Sequence, residues 1–225
     1  KAVDNLDDFS ISVWFKTLVT KSQQEIFHAL GQNTGDDELE IYLKDSKKVL
    51  IKVRDESQEL SSDVKLTDGN WHHLVITRDG KYVCLFIDGV KQQCKNGVES
   101  GELSVTKSNA VVIGQEQDSF GGSFSTSQNF VGKLDEFKIY NVELSASDID
   151  SIHTYEARGN NYDDSPRDIV QCIVSPEVDH YEITHDGQGL TCLSEDITII
   201  AHDANHDQVA PSNSTTITLS TSIVN

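Results

Sequence analysis

The chain reads as an all-β protein, a sandwich or jelly roll of two antiparallel sheets with one short helix. Helical periodicity is nearly absent, and apolar and polar residues instead alternate over short segments. Those segments recur at a spacing of roughly 8–12 residues, separated by turn-forming residues, which is the pattern of two packed sheets. A hydrophobic content of 36% suits a two-layer fold with wet outer faces.

FSISVWFKT, residues 9–17, sets the pattern: Phe9, Ile11, Val13 and Phe15 share one face, and Ser10, Ser12, Trp14 and Lys16 the other. DELEIYLKD, KVLIKVRD, WHHLVITRDG, KYVCLFIDG, NAVVIGQ and KLDEFKIYN follow as further short strands. After KYVCLFI, Asp88-Gly89 is the two-residue signal of a tight hairpin. Counting outward from it sets Cys84 opposite Gln93, so a small bulge would let Cys84 meet Cys94. The helix is ASDIDSIHTYEA, with Ser145 as cap and Asp148 three residues on, a near capping box. YEARGNNYDDSPRD then loses all periodicity and reads as a linker. HYEITHDGQGLTC, DITIIAHDA and TTITLSTSIV resume as strands, too few to close a sandwich. The expected organisation is a β domain over 1–156, a linker over 157–170 and a small or truncated β unit over 171–225.

A formal net charge of −19 argues against nucleic acid, whose phosphates need a basic face. Acidity of this kind serves solubility and also raises the local concentration of cations. No apolar run approaches the ~18 residues of a membrane span, so no membrane insertion is expected. No signal peptide is visible at Lys1 and the chain has no Met, which predicts a processed form or an excised fragment. The four cysteines fall into two neighbouring pairs, Cys84 with Cys94 and Cys172 with Cys192, and neither has metal-site spacing. Two local disulfides would imply an oxidising compartment, namely the periplasm, the cell surface or the outside. Four free buried thiols are the alternative.

VVIGQEQDSFGGSFSTSQNFVG, residues 111–132, resembles the calcium-site signature of pentraxins. GKLDEFKIYNVELSASDIDSIH is similar to the closing strand and helix of laminin-G-like and pentraxin domains, and DGNWHHLVITRDGKYVCLFIDGVKQ to their central hairpin. The resemblance covers about Phe9 to Tyr155 and implies the concanavalin-A-like jelly roll. It also implies that the sheet-bridging disulfide of pentraxins is missing, its two positions being Ser12 and Val75, with the hairpin pair replacing it. HYEITHDGQGLTCLSEDITIIAHD resembles a domain of bacterial proteins linked to mannose-sensitive haemagglutinin pili. That implies a bacterial surface or pilus-associated fragment, with pilus or envelope proteins as partners.

Calcium takes six to eight oxygens in a flexible cage. In an extended segment Glu116 and Asp118 face one side together, while Gln117 points away and would offer its backbone carbonyl. Gly121-Gly122 lets the chain reverse, bringing back Gln128 with an amide oxygen. The missing oxygens should come from a distant segment, and by resemblance Asp36 and Asp37 match the pair that completes the pentraxin site. Pentraxins hold two calciums; a Glu needed for the second is Ser125 here, so one well-formed site is expected. Tyr42 falls where part of the family has an aromatic pocket wall. The ligand implied is a glycan or a small anionic group reached through calcium.

Other constellations carry less. His72 and His73 sit in a strand and point to opposite faces, a structural role. His180, His185, His202 and His206 are scattered without zinc spacing. DANHD reads as a turn, because the sixth position of a calcium loop is Gln208 rather than Gly. Asp135 and Glu136 are expected to support a turn, and Trp14 and Trp71 to pack in the core or at an edge. Asn213-Ser214-Thr215 is a glycosylation sequon only in a eukaryotic host. There is no G-x-S-x-G, P-loop or H-E-x-x-H. A glycoside hydrolase on this fold needs paired carboxylates; Glu38 and Glu40 are present without a third alternating acid. The leading expectation is a non-catalytic, calcium-dependent recognition module. The alternatives are a spacer whose loops calcium merely ties, and a glycoside hydrolase.

Overall fold

The computed structural model describes residues 2–33, 36–167, 178–184 and 198–210. The chain divides into two compact units, Lys1–Arg167 and Asp168–Asn225. In the first, the strands are β1 (Phe9–Lys16), β2 (Gln24–Leu30), β3 (Asp37–Leu43), β4 (Lys48–Val53), β5 (Glu56–Ser61), β6 (Trp71–Asp79), β7 (Tyr82–Ile87), β8 (Val90–Asn96), β9 (Val111–Ile113) and β10 (Lys133–Tyr140), followed by helix α1 (Ala146–Ala157).

They form two five-stranded antiparallel sheets, ordered β10-β1-β6-β7-β8 and β5-β4-β3-β2-β9. The jelly-roll sandwich expected from the alternation is therefore present. Phe9, Ile11, Val13 and Phe15 on β1 are fully buried, as are Leu39, Ile41 and Leu43 on β3 and Leu74 and Ile76 on β6. Together they fill the space between the sheets, joined by the stacked pair Phe27 and Phe137 at 5.4 Å.

The two outer faces differ, and this decides where a site can lie. The outer face of the first sheet is covered by α1, whose Ile149 packs on Val75 and Phe86. Trp14 donates its indole N–H to Glu156 of the helix at 2.6 Å. Ser145 caps α1, and Ser145 and Asp148 form a full capping box. Among the described residues no helix lies on the outer face of the second sheet, which is polar.

The hairpin turning at Asp88-Gly89 closes the disulfide Cys84–Cys94. The register slips by one residue between Leu85 and Phe86, so Cys84 pairs directly with Cys94 rather than Gln93. The expected bulge is thus the device that brings the thiols together. Cys172 and Cys192 lie outside the described residues. Ser12 and Val75 are register partners on the adjacent strands β1 and β6. A disulfide there would tie two strands of one sheet, which corrects the expectation that those positions bridge the sheets.

Residues 157–167, expected to be linker, pack with the first unit: Arg167 pairs with Glu136 at 3.1 Å and Tyr162 meets Tyr140 edge-on at 6.4 Å. In the second unit, β11 (His180–Thr184) and β12 (Thr198–His202) pair as an antiparallel ribbon. No helix of the described residues is long and apolar enough to cross a membrane.

Candidate functional site

The outer face of the second sheet gathers carboxylates. Two irregularities in the β2–β3 ladder place them there. Ile26 is an extra residue between the pairs Glu25–Tyr42 and Phe27–Ile41, and Glu38 is an extra residue between Leu39 and Asp37. A bulge resets the in–out alternation. Glu25 and His28, three apart on β2, therefore share the outer face, as do Asp37 and Glu40 on β3. His28 and Glu40 face each other directly across the ladder.

Each group is held at a defined place. His28, fully buried, meets Asp37 Oδ1 through Nε2 at 3.0 Å. Lys52 on β4 donates to Asp37 Oδ2 at 2.7 Å. The pairing with His28, aided by Lys52, holds the Asp37 carboxyl down at about 2. The Gln23 amide donates to Glu25 at 3.2 Å and to Glu40 at 2.9 Å, bridging the two. Burial and the neighbouring Glu40 push the Glu25 carboxyl well above the usual range, and burial and Asp37 raise Glu40. Oε1 of Glu25 is buried without a partner.

The loop from Ile113 to Gly132 hangs from β2 at both ends. Gly114 donates its N–H to the Ile26 carbonyl at 3.0 Å, and Glu25 donates its own to the Gln128 carbonyl at 2.8 Å. The loop thus brings the backbone of Gln128 to Glu25. The Gln117 side chain is fully buried, donates to the Ala110 carbonyl at 2.7 Å and accepts from the Gly121 N–H at 2.8 Å. That strut braces the reversal at Gly121, whose φ of 73° suits glycine. Glu116 is 5% exposed and its Oε2 has no partner. Burial, then the charge of Asp118, raise it to about 6, with Asp37 and Glu40 adding to the effect and His28 opposing it.

The structure therefore sets Glu116, Asp118 and Asp37 near one another, with the backbone of Gln128 at Glu25, and places Glu25, Glu40, His28 and Lys52 among them; the sequence offered Glu40 only as a hydrolase carboxylate and the other three not at all. For Glu25 and His28 the signal was weak: two polar residues within the short QEIFHAL, whose Gln24 is polar too. Asp36 is turned aside; it accepts from the Asn33 amide at 2.8 Å and lines a polar cleft of about 260 Å³ with Asp37, Glu38, Lys52, Arg54 and Asp55. Glu38 also leaves the group, binding Arg54 at 3.1 Å and the Ser104 N–H at 2.8 Å. Tyr42 borders the cluster, its hydroxyl pushed up to about 12 by burial and by Glu40 and Glu25. Ser125 bonds Ser127 at 2.8 Å and brings no charge.

This donor set is chemically matched to a hard dication: carboxylates and amides, with two buried oxygens lacking any partner. Among the described residues, no three of these carboxylates bring oxygens within 4.8 Å of one another. They share a face without closing on a point. Asp37 instead takes its compensation from Lys52 and His28.

Glu116 gives a pH test. An acid whose folded pKa is raised binds its proton more tightly when folded. Its contribution to stability is greatest below 4.5 and is lost as pH rises from 4.5 to about 6. In chelator at pH 7, Glu116→Gln is expected to stabilise the protein by about 1 kcal/mol, less than the full shift because the site's rim stays hydrated. Urea unfolding between pH 4.5 and 7 checks this: the gain should vanish at the acid end.

Elsewhere, Trp14 and Trp71 line a cleft of about 280 Å³ with Asp135, Glu136, Glu156 and Arg167. His72 binds Asp68 and Asp88, and the buried His73 meets Ser12 Oγ at 2.7 Å, so both are structural.

Comparison with known proteins adds a family. Residues 1–150 match the model of the Concanavalin A-like lectin/glucanases superfamily. Human neuronal pentraxin-1 is 25% identical over 161 residues, 68% of this chain and 35% of that protein. C-reactive protein 1.4 of Limulus polyphemus is 30% identical over 151 residues, 64% of this chain and 61% of that protein. The chain thus spans about a third of neuronal pentraxin-1. Among solved structures, the CBM40 of Ruminococcus gnavus IT-sialidase bound to α2,3-sialyllactose superposes with a TM-score of 0.54 at 16% identity, covering 66% of this chain and 84% of that one. At that identity the likeness is one of fold.

Proposed function

The chain belongs to the Concanavalin A-like lectin/glucanases superfamily, and from that premise we propose that its first unit is a calcium-binding, non-catalytic recognition module. One observation carries the reading: buried, like-charged carboxylates with unpartnered oxygens converge on the face where the loop resembling a pentraxin calcium site is anchored. Glu116, the Gln117 carbonyl, Asp118, Gln128 and Asp37 are the proposed calcium ligands, with Asp36 joining them once it turns from the Asn33 amide, and Glu25 and Glu40 add negative charge to the same face. Lys52 competes with the metal for Asp37. One calcium is proposed rather than two, since Ser125 offers no carboxylate.

The ligand is a glycan or small anionic group that reaches calcium, with Tyr42 at its edge. Relatives named pentraxin and C-reactive protein, and a neighbour of the same fold holding sialyllactose, support this class of ligand. The proposed setting is the surface or periplasm of a bacterium, in a pilus-associated or envelope protein, with the recognition domain over 1–156 extended by the packed segment 157–167, and a partial β domain over 171–225. The Cys84–Cys94 disulfide fits an oxidising compartment.

A glycan and anion binding screen in calcium and in chelator tests the proposal. Binding that chelator removes supports it; the absence of any chelator-sensitive ligand favours the spacer reading. The hydrolase reading requires turnover of polysaccharides by paired carboxylates. Release of reducing sugar from polysaccharides, lost in Glu116→Gln, would establish it instead.

A further inference from the structure

The histidines of the second unit do not stay scattered. His180 and His202 are direct partners across the β11–β12 ladder, their rings stacked at 5.5 Å. The turn after β12 folds back on itself: the His206 N–H donates to the Asp203 carbonyl at 3.0 Å, and Asp203 Oδ1 accepts from the N–H groups of Asn205 and Asp207 at 2.8 and 2.9 Å. His206 sits in the turn with φ 66°, a left-handed conformation for which His is among the enriched residues. Its ring lies 4.7 Å from that of His180. One nitrogen from each of the three rings lies within 4.8 Å of the others.

From this arrangement we propose that His180, His202 and His206 form a binding site for a divalent transition metal, zinc being the ion best suited to it. Spacing in the sequence hides the site because the ladder, not a helix or a short loop, brings the ligands together. This corrects the expectation that these residues are unrelated; His185 lies outside the described residues.

The outer contacts of the rings are those of metal ligands. His180 Nδ1 meets Asp179 Oδ2 at 3.0 Å, and His202 Nδ1 donates to the His206 carbonyl at 2.9 Å. A ligating imidazole typically gives its second N–H to a carboxylate or carbonyl, which fixes the tautomer and leaves Nε2 for the metal. His202 Nε2 is buried and makes no hydrogen bond. The Glu182 carboxylate stands 3.5 Å from that nitrogen, on the same ribbon. Three imidazoles supply three positions of a tetrahedral zinc shell, and the fourth falls to water or, if its exposed side chain swings in, to Glu182. Zinc–nitrogen bonds near 2.0–2.1 Å set the nitrogens about 3.3 Å apart, so the rings need to close by roughly 1.5 Å at most.

The unit also has use for such a staple. Among its described residues Ala201 is the one buried hydrophobic side chain, while Ile183 and Ile199 are 45% and 36% exposed. A two-stranded ribbon is marginal by itself, and a metal that ties the turn to the ladder stabilises it.

The test is zinc titration of the tag-free full chain, saturated with calcium so that the acidic face is filled. Calorimetry should show one equivalent of zinc, and cobalt should give the absorption of a tetrahedral site. His206→Asn, in an exposed turn whose conformation Asn accepts, should weaken zinc at least tenfold without unfolding the ribbon. His180→Gln/His202→Gln should abolish the cobalt spectrum. Zinc uptake and cobalt spectrum unchanged in both variants, or no uptake by the wild type, would overturn the proposal.

Discussion

Millimolar calcium is expected to raise the unfolding temperature of the first unit by roughly 5–10 °C over the chelated protein. The magnitude follows from mass action. A calcium Kd of about 10 μM makes 1 mM calcium worth about 2.7 kcal/mol, and a domain of this size gains roughly 2–4 °C for each kcal/mol. The origin of the gain is local. Without a cation, Glu25, Glu40 and Glu116 are buried on one face with their carboxyls pushed upward, each by its own burial first and by its acidic neighbours next. A dication converts that repulsion into attraction. Scanning calorimetry of wild type and Glu116→Gln/Asp118→Asn, each in calcium and in chelator, checks it. The double variant should show no calcium response.

Gly132→Ala is expected to cost about 3 kcal/mol or more and to weaken calcium at least tenfold. Gly132 closes the loop that begins at Ile113 and lies against β1. A Cβ there would overlap the Lys16 carbonyl oxygen and stand 2.9 Å from the Phe130 ring. Backbone cannot yield as a flexible side chain can, so the strand must move. Its neighbours transmit the shift: Thr17 donates to the Val131 carbonyl at 2.7 Å, and the Phe130 N–H donates to the Gly114 carbonyl at 2.9 Å. Moving this end of the loop carries Gln128 away from Glu25. Urea unfolding reads the first effect and a calcium titration of the folded variant the second. A variant as stable as wild type would show that the loop's close approach to β1 is not required.

Legibility in the sequence tracked the regularity of the backbone. β1 alternates without interruption on its own strand, and its four core residues are the four that alternation selects. The Asp88-Gly89 hairpin declared itself by its turn residues, and the cysteine spacing announced the bulge needed to close Cys84–Cys94. β2 was not legible, because the bulge at Ile26 breaks the period in QEIFHAL, and β5 is too polar to show one. The same bulges place Glu25 and His28, and Asp37 and Glu40, on one face at a spacing of three, where strict alternation would separate them. The loop residues Glu116 and Asp118 were proposed from their chemistry and resemblance. The sheet residues that share the face with them required knowledge of the register. His180 and His202 were hidden for the same reason, since a ladder joins residues whose separation in sequence carries no signal.

The central claim is that the outer carboxylate face binds calcium, and calcium titration calorimetry at pH 7 on wild type and Glu116→Gln measures it directly. One equivalent of calcium should bind wild type in the micromolar range, with affinity lowered at least tenfold by a substitution that removes one charge and keeps the shape. No heat of binding in wild type at millimolar calcium, or equal affinity in the variant, would contradict the account and leave the face an acidic surface compensated by Lys52 and His28 alone.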